Sequence, residues 1–273
     1  MENNVSKSKN KNKEKPIGIF DSGKGGLSVL AQAQNILPHE KYIYFSDSKN
    51  APYGIKEAQT VEKLTLNAVE NLIRRDVKAL VLACNTATSA AVATLRKKYD
   101  IPIIGMEPAI KPAANISPDS GKIVLLATEM TLQEQKLQNL VSDLNLHSQL
   151  IKVPSPKMVT LIEDNQFKKN RARKVVKDYL NNINLKQVSS IVLGCTHFVF
   201  YKKIIREIVN NDIDILDGNK GTVRHLERKL RQKNMLRTKN SNPRLEFFSS
   251  DSDLAEEKYE ELLTSSHLND LLS

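Results

Sequence analysis

From Pro16 onward, short apolar runs alternate with stretches of helical periodicity, and this alternation constrains the fold more than any other feature of the chain. Strand-like runs fall at 16–20, 42–45, 79–83, 101–104, 122–127, 149–153, 188–193, 213–216 and 244–248. Between and after them, helical spacing is expected over 27–37, 61–73, 86–99, 132–144, 158–164, 170–181, 198–209, 223–236 and 254–263. Prolines 108, 112 and 118 mark a crossover between two such units. Strands alternating with helices predict an α/β fold with mainly parallel sheets. In such sheets ligands bind beyond the carboxyl ends of the strands. Asp21, Cys84, Thr128 and Cys195 all stand at such ends, so a functional site is expected there.

Only two cysteines are present, and their surroundings match. Cys84 lies within Val81-Leu-Ala-Cys-Asn-Thr-Ala-Thr88, and Cys195 within Ile191-Val-Leu-Gly-Cys-Thr-His197. Each follows an apolar run and precedes side chains of the kind that cap a helix. A lone buried cysteine is usually a small apolar residue. Two at equivalent corners, beside Asn85-Thr86 and Thr196-His197, point instead to one cleft seen from two sides. A helix N-terminus or a neighbouring histidine stabilises a thiolate, so thiol pKa values below the usual ~8.5 are expected. A single histidine is more often structural, but His197 is two residues from Cys195 and placed to orient or deprotonate it. Glu163, on a polar-looking helix, reads by itself as solvated surface. Cys84, Cys195 and His197 lack a fourth ligand and any C-x-x-C pair, so no metal is expected.

The 273 residues suffice for two modest domains with a real core. No apolar run approaches the roughly 20 residues of a membrane helix. Residues 1–15, with five Lys against two Glu, have no apolar segment of a secretory signal and are expected to be a disordered leader. Two cysteines without such a signal point to a reducing, cytoplasmic setting rather than a disulfide framework. The net charge of +10 raises the question of nucleic acid. Yet the basic clusters, in the leader and over 168–177, are not interleaved with aromatics, and the segment from Asp251 to Glu261 is acidic. A solvated basic surface is the reading, with no nucleic-acid or membrane partner.

Asp21-Ser-Gly-Lys-Gly-Gly26 invites a phosphate-loop reading, since Gly18 to Lys24 fits G-x-x-x-x-G-K. The next residue is Gly25 rather than the Ser or Thr that would bind magnesium, and Gly18 lies inside a strand-like run. The alternative is that the glycines let backbone N–H groups face an anion at a helix N-terminus, a carboxylate as readily as a phosphate. Asp21 would then be a catalytic group or a partner for a substrate ammonium.

Taken together, the segments Gly18 to Ser28, Pro52-Tyr-Gly54, Ala83 to Thr88, Glu107-Pro108, Ala127-Thr128 with Thr131, and Gly194-Cys-Thr-His197 resemble the glutamate racemases of the cofactor-independent aspartate/glutamate racemase superfamily. The motifs occur in the family's order over about 16–263. The resemblance implies two pseudo-symmetric α/β domains, 16–107 plus 215–263 and 108–214, with the active site in the cleft between them and a tail at 264–273. It implies a cytoplasmic, homodimeric enzyme without pyridoxal phosphate or any other cofactor. One thiolate would remove the α-proton of glutamate while the opposing thiol delivers one, yielding D-glutamate for peptidoglycan. Asp21 would assist Cys84, and His197 would assist Cys195, with Glu163 as a further helper. Ser22, Tyr53, Gly54, Asn85, Thr86 and Thr196 resemble the substrate contacts, as do Asp21 and His197; Thr128 and Thr131 are weaker matches.

The chain departs from the family pattern at Phe198-Val199, Val153-Pro-Ser-Pro156, Asp217-Gly-Asn219 and Lys24. None of these removes a proton-transfer group. Within the same chemistry the alternative substrate is aspartate. Outside it, the alternatives are a nucleotide-binding protein using Gly18 to Lys24 and a non-catalytic binding module.

Overall fold

The computed structural model describes residues 12–117, 121–237, 244–251 and 263. Most of the leader, the helix expected over 254–263 and the tail at 264–273 lie outside the described residues, Leu263 excepted.

Two all-parallel sheets form the frame. The first has five strands in the order β4-β3-β1-β2-β9: β1 (Ile17–Asp21), β2 (Tyr42–Ser46), β3 (Ala79–Leu82), β4 (Ile103–Gly105) and β9 (Leu245–Ser249). The second has four in the order β6-β5-β7-β8: β5 (Lys122–Ala127), β6 (Leu150–Pro154), β7 (Val188–Leu193) and β8 (Asp214–Asp217). Every residue of β1, β2 and β3 is buried, as expected of strands covered on both faces by helices. Gly18 is a strand residue in β1, where an added Cβ would lie 3.3 Å from Val77 and 3.4 Å from Leu72.

The crossovers of the first unit are α1 (Leu27–Ile36), α2 (Ala58–Ile73) and α3 (Asn85–Lys98). α4 (Ile110–Ile116) leads into the second unit, which carries α5 (Glu129–Gln133), α6 (Gln135–Asp143), α7 (Pro156–Glu163), α8 (Lys169–Leu180) and α9 (Lys202–Arg206). α10 (Asn219–Gln232) returns to pack on α1. One hydrophobic core joins the units, since Leu27, Val29 and Leu30 of α1 share a cluster with Met158, Phe198, Tyr201 and Ile205. No helix among the described residues is long and apolar enough to cross a membrane.

Three expectations change. The helix expected over 132–144 is broken at Glu134, whose backbone turns extended and whose side chain accepts a hydrogen bond from Ser89 in the other unit. The helix expected over 198–209 begins as a 3₁₀ segment, Thr196–Tyr201, and only then becomes α9. All six residues of that segment are buried, so there is no solvent-facing side for helical amphipathicity to select. Finally, residues 215–217, expected with the first unit, form part of β8 in the second sheet, and the chain crosses back only at α10.

Candidate active site

Both cysteines stand beyond the carboxyl ends of their strands, Cys84 after β3 of the first sheet and Cys195 after β7 of the second. Cys84 is the N-cap of α3, and its Sγ accepts the Ala87 N–H at 3.4 Å. The Ser22 hydroxyl donates to the same sulfur at 3.4 Å. On the other side Cys195, half-buried, precedes the 3₁₀ segment, with its Sγ 3.6 Å from His197 Nδ1. Cys195 is near enough for its charge to bear on Cys84.

Asp21 joins the two corners. It is fully buried at the end of β1, its Oδ2 accepts the Gly23 N–H at 2.9 Å, and its Oδ1 accepts the Thr196 hydroxyl at 3.2 Å. Burial pushes its carboxyl up to about 6, against the pull of the His197 charge and the Gly23 N–H. Burial, followed by the Asp21 charge, also pushes the Cys84 thiol up to about 12, outweighing the Ser22 and Ala87 hydrogen bonds. The lowered thiol pKa expected for a cysteine at a helix N-terminus is therefore overturned at Cys84. Desolvation by a closed cleft exceeds the stabilisation the helix end offers.

Glu163 is not solvated surface. Its carboxylate is buried in the cleft, paired through Oε1 with His197 Nε2, and accepts the Lys24 N–H at 2.8 Å. Burial disfavours charge on both partners, but their mutual attraction wins: His197 is held well above the ordinary imidazole range and Glu163 below the ordinary carboxylate range. The Cys195–His197–Glu163 line thus sets the ring between a sulfur and a carboxylate, surroundings that favour its protonated form.

Gly23, Gly25 and Gly26 serve close approach; no described glycine has a positive φ. A Cβ on Gly23 would lie 1.9 Å from Glu163 Oε1, and one on Gly25 would lie 2.4 Å from Thr196 Oγ1 and 2.5 Å from His197 Nδ1. The loop does present N–H groups to anions, but these are the chain's own carboxylates, Asp21 and Glu163. The Lys24 ammonium group donates to the Glu163 carbonyl at 2.6 Å and to Asn165 Oδ1 at 3.0 Å, which places it away from any phosphate role. The Lys24–Asn165 contact was not foreseeable; its one sequence signal is a lysine where small or apolar residues are usual.

The remaining candidates divide. The Thr86 and Thr128 hydroxyls meet at 3.0 Å across the cleft, and Thr128 caps α5 through the Thr131 N–H. Gly54 presses against Thr128, with an added Cβ only 2.5 Å from its methyl group. Asn85 opens α3 and is buried. The Tyr53 hydroxyl donates to Asp47 at 2.6 Å and its ring packs on Phe20, which fixes the loop carrying Gly54. A cavity of about 620 Å³ opens beside this loop, lined by Gly54, Ser89, Met130 and Glu134 among others; neither cysteine lines it. Among the described residues no cluster of His, Cys, Asp and Glu is arranged to hold a metal.

The family model of the Asp/Glu/Hydantoin racemases matches residues 27–226, which include both cysteines, Glu163 and His197. The chain is a member of this racemase family. Its relatives include the glutamate racemase of Clostridium perfringens, 46% identical over 239 residues covering 87% of this chain and 92% of that protein. Among solved structures, the glutamate racemase of Bacillus anthracis has a TM-score of 0.80 at 29% identity, with 92% of each chain covered. The glutamate racemase of Francisella tularensis, solved in complex with D-glutamate, has a TM-score of 0.78 at 28% identity, covering 92% of this chain and 94% of that one. The chain is accordingly a racemase, an isomerase with the two-sheet α/β architecture of these enzymes.

Proposed function

We propose that this racemase interconverts L- and D-glutamate by proton transfer between two thiols and the substrate α-carbon, supplying D-glutamate for peptidoglycan. The observation that supports the reading is the pair of cysteines at matched strand-end corners, Cys84 beside Ser22 and Cys195 beside His197, with the buried Asp21 hydrogen-bonded to Thr196 of the second corner. The substrate reading is supported by the D-glutamate bound to the Francisella tularensis relative.

Inversion needs a base on one face of the α-carbon and an acid on the other. In one direction Cys84 gives its proton to Asp21, and the resulting thiolate takes the α-proton. The Cys195 thiol then delivers a proton to the opposite face, leaving a thiolate; the reverse reaction exchanges the roles. Asp21, with a pKa near 6, is matched to such an exchange close to neutrality. The substrate α-ammonium brings a positive charge beside Asp21 and Cys84, offsetting the burial that holds the thiol protonated. At the other corner the His197 imidazolium, fixed by Glu163, faces negative charge developing on Cys195 Sγ. The N–H groups of Asn85 and Thr86 at the start of α3 precede the first bonds of the helix, the Ala87 N–H being taken by Cys84, and are placed to meet a substrate carboxylate.

Purified protein incubated with each enantiomer of glutamate and of aspartate, followed by chiral chromatography, tests the assignment. Conversion of both glutamate enantiomers to a common mixture is expected. Turnover of aspartate in its place would retain the chemistry and overturn the substrate. No turnover of either would remove the reading.

A further inference from the structure

Lys24 is the one residue of the glycine loop with a long charged side chain, and it is 3% exposed. It rises from the first unit and ends in the second. Its ammonium group lies at the C-terminal end of α7, donating to the Glu163 carbonyl at 2.6 Å and to Asn165 Oδ1 at 3.0 Å. Carbonyls at a helix C-terminus lack intrahelical partners and carry the negative end of the helix dipole, so a cation is favoured there. Asn165 has φ 53°, the left-handed conformation that commonly follows a helix end, and its N–H returns to the Ile162 carbonyl at 3.2 Å. The backbone N–H of Lys24 adds a third bond, to Glu163 Oε1 at 2.8 Å. A single residue thus holds Glu163 at both its carboxylate and its carbonyl. The other charged groups facing that carboxylate are His197, which it pairs with, and Asp21.

We propose that Lys24 is a positioning residue, clamping the end of α7 across the cleft so that Glu163 stays on His197 and His197 on Cys195. This rests on the reading that the Cys195 corner takes part in proton transfer. The side chain supplies what the loop backbone cannot, because the Lys24 N–H fixes one carboxylate oxygen but not the helix that carries it. Loss of the ammonium group lets the end of α7 move, and small displacements of a group in a preorganised site cost up to about 100-fold in rate.

Lys24→Met keeps the length and apolar stem and removes the charge. Asn165→Gly removes the Oδ1 partner and permits the same backbone conformation, so a role for the contact remains testable if Lys24→Met fails to fold. The readouts are kcat and KM for both glutamate enantiomers and the ¹⁵N NMR titration of the His197 ring. The expectation is a kcat lower by about tenfold with KM changed less than about threefold. The His197 titration should also move down, toward the ordinary imidazole range, in Lys24→Met and less so in Asn165→Gly. An unchanged kcat and titration would show that Lys24 only fills space, and a rise in KM alone would assign it to closing the cleft; either overturns the proposal. If the wild-type protein does not turn over glutamate, the functional reading fails separately, while the NMR titration still decides whether Lys24 fixes the pair.

Discussion

At the scale of single residues, Asp21 concentrates the tension between stability and function. It is a carboxyl group without exposure, raised to about 6, hydrogen-bonded to Gly23 and Thr196. Because its folded pKa lies above its ordinary value of 3.8, the folded state binds a proton more tightly than the unfolded one. The stability this contributes is complete below about pH 4 and is lost as pH rises through 6. Asp21→Asn is therefore expected to raise the thermal midpoint at pH 8 relative to wild type, with little change at pH 4. The same substitution is expected to lower kcat/KM by about 10²- to 10⁴-fold, the usual contribution of a general acid or base. For the wild type, kcat/KM should fall below about pH 6 as Asp21 takes up its proton. Scanning calorimetry at the two pH values and a pH–rate profile check these outcomes; a destabilised, fully active Asp21→Asn protein would contradict them.

At the scale of elements, the sequence exposes the strands more clearly than the helices. The strands β1, β2, β3, β5 and β7 carry mainly apolar, buried runs, interrupted in β7 by Ser189 and Ser190, with turn signals at their ends, and they fall where expected. The two cysteine corners were legible for the same reason, since each follows such a run. The break at Glu134 and the 3₁₀ start after Cys195 were not, because both depend on what the second unit packs against. Glu163 shows the same limit: α7 looks polar from its charges, yet the carboxylate is buried by a loop 139 positions earlier in the chain. Thr128 offers a direct test of one element boundary, as it caps α5 and meets Thr86 across the cleft. Thr128→Ala should cost about 1 kcal/mol in urea denaturation, the usual cost of losing an N-cap. An unchanged midpoint would mean that neither hydrogen bond contributes.

At the scale of the whole molecule, the two sheets meet at the cleft, and the opposite end of the first sheet is held by a buried charge. Lys78 and Glu40 are 1% and 0% exposed and paired with each other. Lys78 also donates to the carbonyls of Lys13 at 2.8 Å and Met235 at 3.0 Å, and Glu40 accepts the Arg237 N–H at 2.9 Å. Three distant segments, before β1, between α1 and β2, and after α10, are thereby tied together. Burial pushes Glu40 up and Lys78 down, the cost of keeping ions out of water. Removing one partner of such a pair leaves the other uncompensated, so Lys78→Met should destabilise the fold by about 3–5 kcal/mol. Adding Glu40→Gln should recover part of that loss, and an additive double variant would contradict the pairing. None of this was legible in sequence, where Lys78 is one of many lysines beside an apolar run.

If two thiols on opposite faces of the α-carbon share one inversion, deuterium transfer in heavy water reads it out. L- and D-glutamate are incubated separately with wild type, Cys84→Ser and Cys195→Ser, and proton NMR follows the α-position while chiral chromatography follows configuration. The wild type should place solvent deuterium on the product enantiomer from either side, and each variant should lose inversion in both directions. Inversion at the wild-type rate by either variant would contradict the two-thiol mechanism.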